Sequence, residues 1–462
     1  MDNSGVGVTA WQNHTTIHPV GLIATLLLGS FLVVGPRRYA IVPMLLMACL
    51  IPTAQRLMLM GADFTLLRIL VLFAWFRLLI RNEFHGFVWN RLDSLVVAWS
   101  VSGTIIYTAS YGTQSALVYR CGVMFDTVGM YFFFRCILRE WADFEFLIRA
   151  FILTSFPVAM AFIVERATGR NIFAVFGGVA PITWVRDGKL RCQGAYSHPI
   201  LAGCFWVIPI PWIISEVAAG RKYLGVAGVG AALVVVLNCA SSTPLLGVGF
   251  MILGMLLYFV RAHLRALRWS FLLLLVLLHL SMQKPVWHLL ARVDLVGGST
   301  GWHRYKIMDA AINNFSEWWL LGETNPMSWG VWQMRDITNQ YIIEALRGGL
   351  LTLVCFIAMI SVAFGLVGSS LRSCEGLSSR RVLVWSTGAA LFSHVCIFFS
   401  VSYFGQIEML WYLTLGMIGS LPGMSYGSSP MPTSSALLGN RLFTFASAER
   451  EPRSQSNHAG FR

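Results

Sequence analysis

Apolar runs of helix length recur along almost the whole chain, and no other feature constrains its fold as tightly. A helix needs about 20 apolar residues to cross a hydrocarbon core. Windows of that kind fall near 17–34, 39–53, 63–80, 92–110, 117–138, 145–165 and 197–216. They continue near 222–240, 243–261, 269–285, 337–366, 382–402 and 405–423. The count is roughly thirteen, or about twelve if one run is re-entrant. The runs are too long for barrel strands and lack strict alternation. Only 12% of the residues are charged, against about 25% in soluble domains. The expected fold is therefore all-α, a polytopic transmembrane helical bundle. It occupies residues 1–424 and includes two long outer loops, 166–197 and 284–336. Residues 425–462, rich in Ser, Pro and Gly, read as a disordered cytoplasmic tail.

Orientation follows from the basic residues. Alternate connections carry Arg37 and Arg38, Arg81 and Arg91, Arg135 and Arg139, and Arg221 with Lys222. The series continues with Arg261, Arg265 and Arg268, then Arg372, Arg380 and Arg381. By the positive-inside rule these face the cytoplasm, with the N-terminus outside and the C-terminus inside. The first residues lack the basic stretch of a signal peptide, so the first span is expected to stay uncleaved. Most of the nine cysteines lie within apolar runs, and no CxxC or Cys/His cluster appears. Neither a metal nor another cofactor is expected. The net charge of +13 is mostly topology, so no nucleic-acid partner is implied.

Two outer loops depart from the charge rule. The first holds Arg166, Arg170, Arg186, Lys189 and Arg191; the second holds Lys284, Arg292, Arg304, Lys306 and Arg335. Attraction to anionic lipid is one account. The other is a phosphate-bearing ligand on the outer face, because guanidinium presents a planar fork to phosphate oxygens. In "GKLRCQGAYSHPILAG" Arg191 and His198 precede the seventh span, where both also suit an interface. In "STGWHRYKIMDAAINNF" His303, Arg304 and Lys306 open an amphipathic helix, with Ile307, Ala310, Ala311 and Phe315 at helical spacing. The Trp-rich stretch that follows suits either an interfacial belt or sugar stacking.

Charges inside the spans narrow the search, since ionisable groups at that depth are costly. Arg120 and Asp126 lie six residues apart in the fifth span, so each needs a partner elsewhere, Arg68 being one choice for Asp126. In "DITNQYIIEALRGGLL" positions 336, 340, 344 and 347 line one helical face. That stripe of Asp336, Gln340, Glu344 and Arg347 should face a cavity, with Glu344 and Arg347 spaced to pair. A helix starting near residue 337 makes Asp336 its N-cap.

These stretches, in this order, resemble the bacterial O-antigen ligase and O-antigen polymerase family of membrane glycosyltransferases. The resemblance covers roughly residues 160–370. "LRCQGAYSHPILAG" stands for the family's Arg element before a span, and "NCASSTPLLGV" for its Ser/Thr-rich outer turn. "STGWHRYKIMDAAI" opens the large loop, and "DITNQYIIEALRGGLL" closes it. Where ligases have His before Asn, this chain has Thr338-Asn339, and Thr is no general base near neutral pH. The likeness is therefore to the polymerase branch.

The resemblance implies a GT-C-like bundle and a glycan donor linked to a polyprenol through diphosphate. It implies that Arg191 and Arg304 hold the diphosphate, a reading that the basic loops also favour. The expected enzyme transfers the growing glycan to a sugar hydroxyl of the next lipid-linked repeat unit, at the outer face of the bacterial inner membrane. Arg120 serves as a third cation, and Asn339, Gln340, Arg347, Lys306 and His198 complete the binding set. Asp336 is the preferred base or orienting group, with His303 and Glu344 behind it. The expected partners are the lipid-linked donor and acceptor, the bilayer and other polysaccharide-assembly membrane proteins. The alternatives are a ligase acting on a lipid or protein acceptor, and a lipid-linked sugar flippase. A flippase should scatter cations along many spans, whereas here they concentrate in two loops.

Overall fold

The computed structural model describes residues 15–59, 61–292, 300–374 and 378–424. The expected tail at 425–462 lies outside these residues, as does part of the second basic loop. The apolar runs form helices. The first six are α1 (Pro19–Val34), α2 (Val42–Leu50), α3 (Leu66–Ile80), α4 (Arg91–Tyr111), α5 (Gln114–Ile137) and α6 (Trp141–Thr168). Next come α7 (Pro199–Val207), α8 (Ile210–Ala218), α9 (Lys222–Asn238), α10 (Ser242–Leu256) and α11 (Leu264–Ser281). The last five are α12 (Thr300–Asn313), α13 (Phe315–Trp318), α14 (Gln340–Ser373), α15 (Ser378–Ile397) and α16 (Gln406–Ser420). Among the described residues the only sheets are two antiparallel hairpins. They pair β1 (Arg56–Leu59) with β2 (Ala62–Thr65), and β3 (Trp184–Arg186) with β4 (Lys189–Arg191).

Among the described residues six segments are long and apolar enough to cross a membrane: Arg91–Tyr111, Gln114–Ile137, Trp141–Thr168, Pro199–Ala218, Arg261–Ser281 and Gln340–Ser373. α1, α9 and α10 are shorter apolar helices. α11 buries none of its residues. Such a surface suits lipid, whereas in water it would be an aggregation liability.

Several expected spans are cut short by local chemistry. The run at 39–53 yields only α2, whose nine residues rise about 14 Å against a core of about 30 Å. Pro36 and Pro52 bracket it. The run at 63–80 begins in a strand, and its helix starts where the Thr65 hydroxyl accepts from the Arg68 N–H. α10 ends at Leu256, whereas α7 and α8, with a turn at Pro209 between them, still make up one span-length segment.

α4 packs between α5 and α14, while α16 lies against α5. α6 packs on α9, α10 on α15, and α1 on α3. Buried charge within the bundle is mostly paired. Arg77, with no exposed surface, grips Glu83 at 2.7 Å and the carbonyls of Leu32 and Gly35. Arg135 holds Asp93 at 3.0 Å, and Tyr131 donates to the same carboxylate. Arg68 meets Asp126 at 2.6 Å, so that pair is structural.

The two ends of the bundle carry different groups. At one end Arg37 reaches Glu140, Arg81 the carbonyls of Val34 and Gly35, and Arg139 the carbonyl of His85. α4 starts at that end and finishes at the other, where the Ser110 hydroxyl donates to the Leu321 carbonyl. The long loops gather at this second end.

There the second loop builds a small core of its own. Ile307, Ala310, Ala311, Trp318 and Met334 pack with Ile342, Ala345 and Leu346 of α14. α14 is broken at Gly349, whose φ of 63° and ψ of −171° are accessible in practice only to glycine. The break is stitched to the loop. The Glu323 N–H donates to the Leu346 carbonyl at 2.8 Å, and the Leu350 N–H to the Trp319 carbonyl at 2.7 Å.

Candidate functional site

The short turn between α9 and α10, residues 238–243, is where both basic loops meet the bundle. Ala240 adopts a φ of 44°, unusual for a residue with a Cβ. From the first loop, the Cys192 N–H donates to the Asn238 carbonyl at 3.0 Å. That contact docks the end of β4 and its last residue, Arg191. From the second loop, Arg304 on α12 donates to the Thr243 hydroxyl at 2.9 Å. Ser241 and Ser242 are also buried here, and the Ser241 hydroxyl makes no capping bond. The turn opens α10, so its free backbone N–H groups add partial positive charge beside the arginines.

The Arg191 side chain is buried, and its Nε has no hydrogen-bond partner among the described residues. Burial, with Arg186 adding like charge, draws its pKa below the ordinary arginine value. A charge held this way gains more than a solvated one from a bound anion. Glu165 at the end of α6 anchors the loop that presents it. Its carboxylate accepts from the Thr183 hydroxyl at 3.0 Å, and from the N–H groups of Gln193 at 3.1 Å and Gly194 at 2.9 Å.

Around α12 the structure joins three more expected residues. His303 Nε2 stands 2.9 Å from the Asp336 carbonyl, and must donate because a carbonyl only accepts. The Asp336 side chain is exposed and makes no hydrogen bond among the described residues. It is not the N-cap of α14. That helix begins at Gln340, and Asn339 caps it by accepting from the Ile342 N–H. The Gln340 N–H goes instead to the Phe398 carbonyl, which fixes where the helix starts. Lys306 lies over the Trp302 ring at 5.1 Å. His198 caps α7, its Nδ1 accepting from the Ile200 N–H, so that nitrogen is unprotonated and committed to a structural bond.

A second group lies inside the bundle. α4, α5, α14 and α16 enclose a cavity of about 50 Å³, lined by Arg120, Gln340, Glu344, Arg347, Glu408 and Tyr403 among others. That volume holds roughly three to five water-sized occupants. The polar face of α14 therefore turns inward at 340, 344 and 347, while Asp336 lies before the helix and outside this lining. Glu344 does not pair with Arg347. Trp99 Nε1 donates to one of its oxygens at 2.8 Å, and Gln340 Nε2 to the other at 2.7 Å.

Sequence reasoning missed Glu165, Thr243 as a direct partner of Arg304, and Glu408. The signal for Glu408 was a lone acid in the last apolar run, and an ionisable residue there is by default a functional candidate. Among the described residues no cluster of His, Cys, Asp and Glu fits a metal. No protein-family model matches the chain, and no curated protein does.

Proposed function

We propose that the chain is a GT-C-like glycosyltransferase that polymerises polyprenyl-diphosphate-linked repeat units at the outer face of the inner membrane. The observation that carries the reading is that one turn at the start of α10 takes both Arg304 and the backbone of Cys192, the residue after Arg191, although Arg191 and Arg304 are 113 positions apart in sequence. A donor diphosphate there faces two guanidinium groups, three hydroxyls and a helix N-terminus, all fixed before it arrives. As the bond from the sugar's anomeric carbon to phosphate breaks, the diphosphate leaves with the electron pair. The same cations take up the growing charge. The acceptor hydroxyl forms the new bond and passes its proton to Asp336, which His303 tethers through the backbone beside Arg304.

The test is Arg191→Lys and Arg304→Lys in cells that make the polymer. Each keeps the charge and loses the planar fork. Polymer should fall severely while the protein still inserts, and single lipid-linked repeat units should accumulate. Wild-type output from both variants would overturn the assignment. Fusion reporters give an independent check, outside after Gly330 and inside near Cys374.

A further inference from the structure

The hairpin that carries Arg191 presents a row of unused groups beside it. Trp184 of β3 stands directly opposite Arg191 of β4, and Arg186 stands opposite Lys189. Opposed residues share a face of an antiparallel pair, and so do residues two apart along a strand. Trp184, Arg186, Lys189 and Arg191 therefore line one face, with Val185 and Leu190 on the other. Trp184 is 63% exposed and makes no hydrogen bond or ring contact among the described residues. Lys189 is exposed as well, with no ion pair among the described residues. Arg186 meets only the neighbouring Asp187 carboxylate, at 3.6 Å, and a pair this exposed yields readily to a better partner.

The face is fixed at its inner end and open at its outer end. Thr183, next to Trp184, donates its hydroxyl to Glu165 and its N–H to the Gly169 carbonyl. Cys192, next to Arg191, docks on the Asn238 carbonyl. Arg166 of α6 braces the second strand by donating to the Leu190 carbonyl at 3.1 Å. The turn residues Asp187 and Gly188 take φ of 51° and 72°, as a tight two-residue hairpin demands, which keeps the two rungs in register. Along β4 exposure rises from the buried Arg191 to the exposed Lys189. The Arg186–Lys189 rung thus lies outward of the Trp184–Arg191 rung, about 7 Å along the strands.

What such a face binds follows from its order. An exposed indole offers a flat apolar plate to the C–H face of a sugar ring. The cations one rung further out ask for an anion beyond the diphosphate assigned to Arg191. A polyprenol chain lies toward the bilayer and its glycan lies outward, so the outer rung meets the glycan. We infer that this face is a subsite for an acidic glycan: Trp184 stacks on a sugar near the diphosphate, and Arg186 and Lys189 hold a carboxylate carried by the repeat unit. The inference rests on the donor reading of Arg191 and adds the substrate class that this reading leaves open. Anionic phospholipid would also satisfy the cations, but the burial of Arg191 sets the inner end of this face against the protein rather than against lipid.

Isothermal titration of the full chain in detergent tests the subsite, with tetramers of galacturonate and of mannuronate against neutral maltotetraose. At least one acidic tetramer should bind saturably, about tenfold or more tighter than maltotetraose. Arg186→Gln combined with Lys189→Gln should abolish that preference. Trp184→Ala should weaken acidic binding about fivefold or more, and Trp184→Phe should retain most of it. All three side chains are exposed, so these variants leave the packing of the bundle alone. Absence of saturable binding by both acidic tetramers overturns the inference, as does equal binding of maltotetraose or indifference to all of these variants. Binding that disappears when detergent is replaced by phosphatidylglycerol nanodiscs also overturns it, because the bilayer then covers the face. The titration needs no transfer reaction. Normal polymer from Arg191→Lys and Arg304→Lys with acidic binding intact would sink the donor reading alone, whereas lost polymer without acidic binding would sink this inference alone.

Discussion

Replacing Glu165 with Ala should free the loop that carries Arg191 without unfolding the bundle. Glu165 receives three hydrogen bonds, from the Thr183 hydroxyl and the N–H groups of Gln193 and Gly194. Bonds to a charged group are worth about 1.5–3 kcal/mol each. Even at the low end, losing three removes about 4.5 kcal/mol, a shift of about two-thousandfold in a local opening equilibrium. Other anchors remain, such as the Asn171 amide on the Gly194 carbonyl and the Cys192 N–H on the Asn238 carbonyl, so the opening should stay local. Glu165→Gln is milder. The amide oxygen keeps two of the donors, while the amide nitrogen opposes the Gly194 N–H and leaves it unpaired, at about 1–3 kcal/mol. Trypsin digestion of the purified protein reads this directly, through cleavage after Arg191, which is buried in the closed loop. The rate should rise in the order wild type, Gln, Ala, and polymer output should fall in the same order. If Glu165→Ala is cut no faster than wild type, Glu165 does not anchor the loop.

Three further outcomes are expected. Asp336→Asn should cut polymer about a hundredfold or more at equal protein level, as for loss of a general base. Because Asn339 caps the helix, normal output would pass the proton to His303 or Glu344 rather than point to capping. Gly349→Ala places a Cβ 2.6 Å from the Leu320 carbonyl at a φ of 63° and should lower the melting temperature by several degrees, whereas Gly365→Ala, with open space around it, should not. Arg68→Gln or Asp126→Asn alone should cost about 3–5 kcal/mol, and Arg68→Met combined with Asp126→Leu should recover most of it, measured by thermal unfolding in detergent.

What the sequence made legible were the features governed by local rules. The apolar runs, the inward stripe at 340, 344 and 347, and the choice of Arg68 for Asp126 follow from periodicity and the cost of charge. What it hid depends on distant backbone. Asp336 and Asn339 are equally able to cap a helix, and the Phe398 carbonyl decides between them by engaging Gln340. Glu344 and Arg347 have pairing distance in sequence, yet Trp99, 245 residues away, takes the carboxylate. The break at Gly349 is held by the Trp319 carbonyl and the Glu323 N–H, both far from it in sequence. Neither the turn that joins Arg191 to Arg304 nor the place of Glu408 has a local signature.

The stitched break in α14 gives the molecule something like a caliper. The half-helix Gln340–Gly348 shares its core with α12 and α13 rather than only with the rest of the bundle. One jaw of that unit is Arg304, set on the α9–α10 turn, and the other is Arg347, set in the inner cavity. The gap between the two jaws is therefore fixed by a handful of side chains, Ile307, Trp318 and Leu346 among them. Shaving one of these would leave both arginines in place on their helices and alter only the span between them.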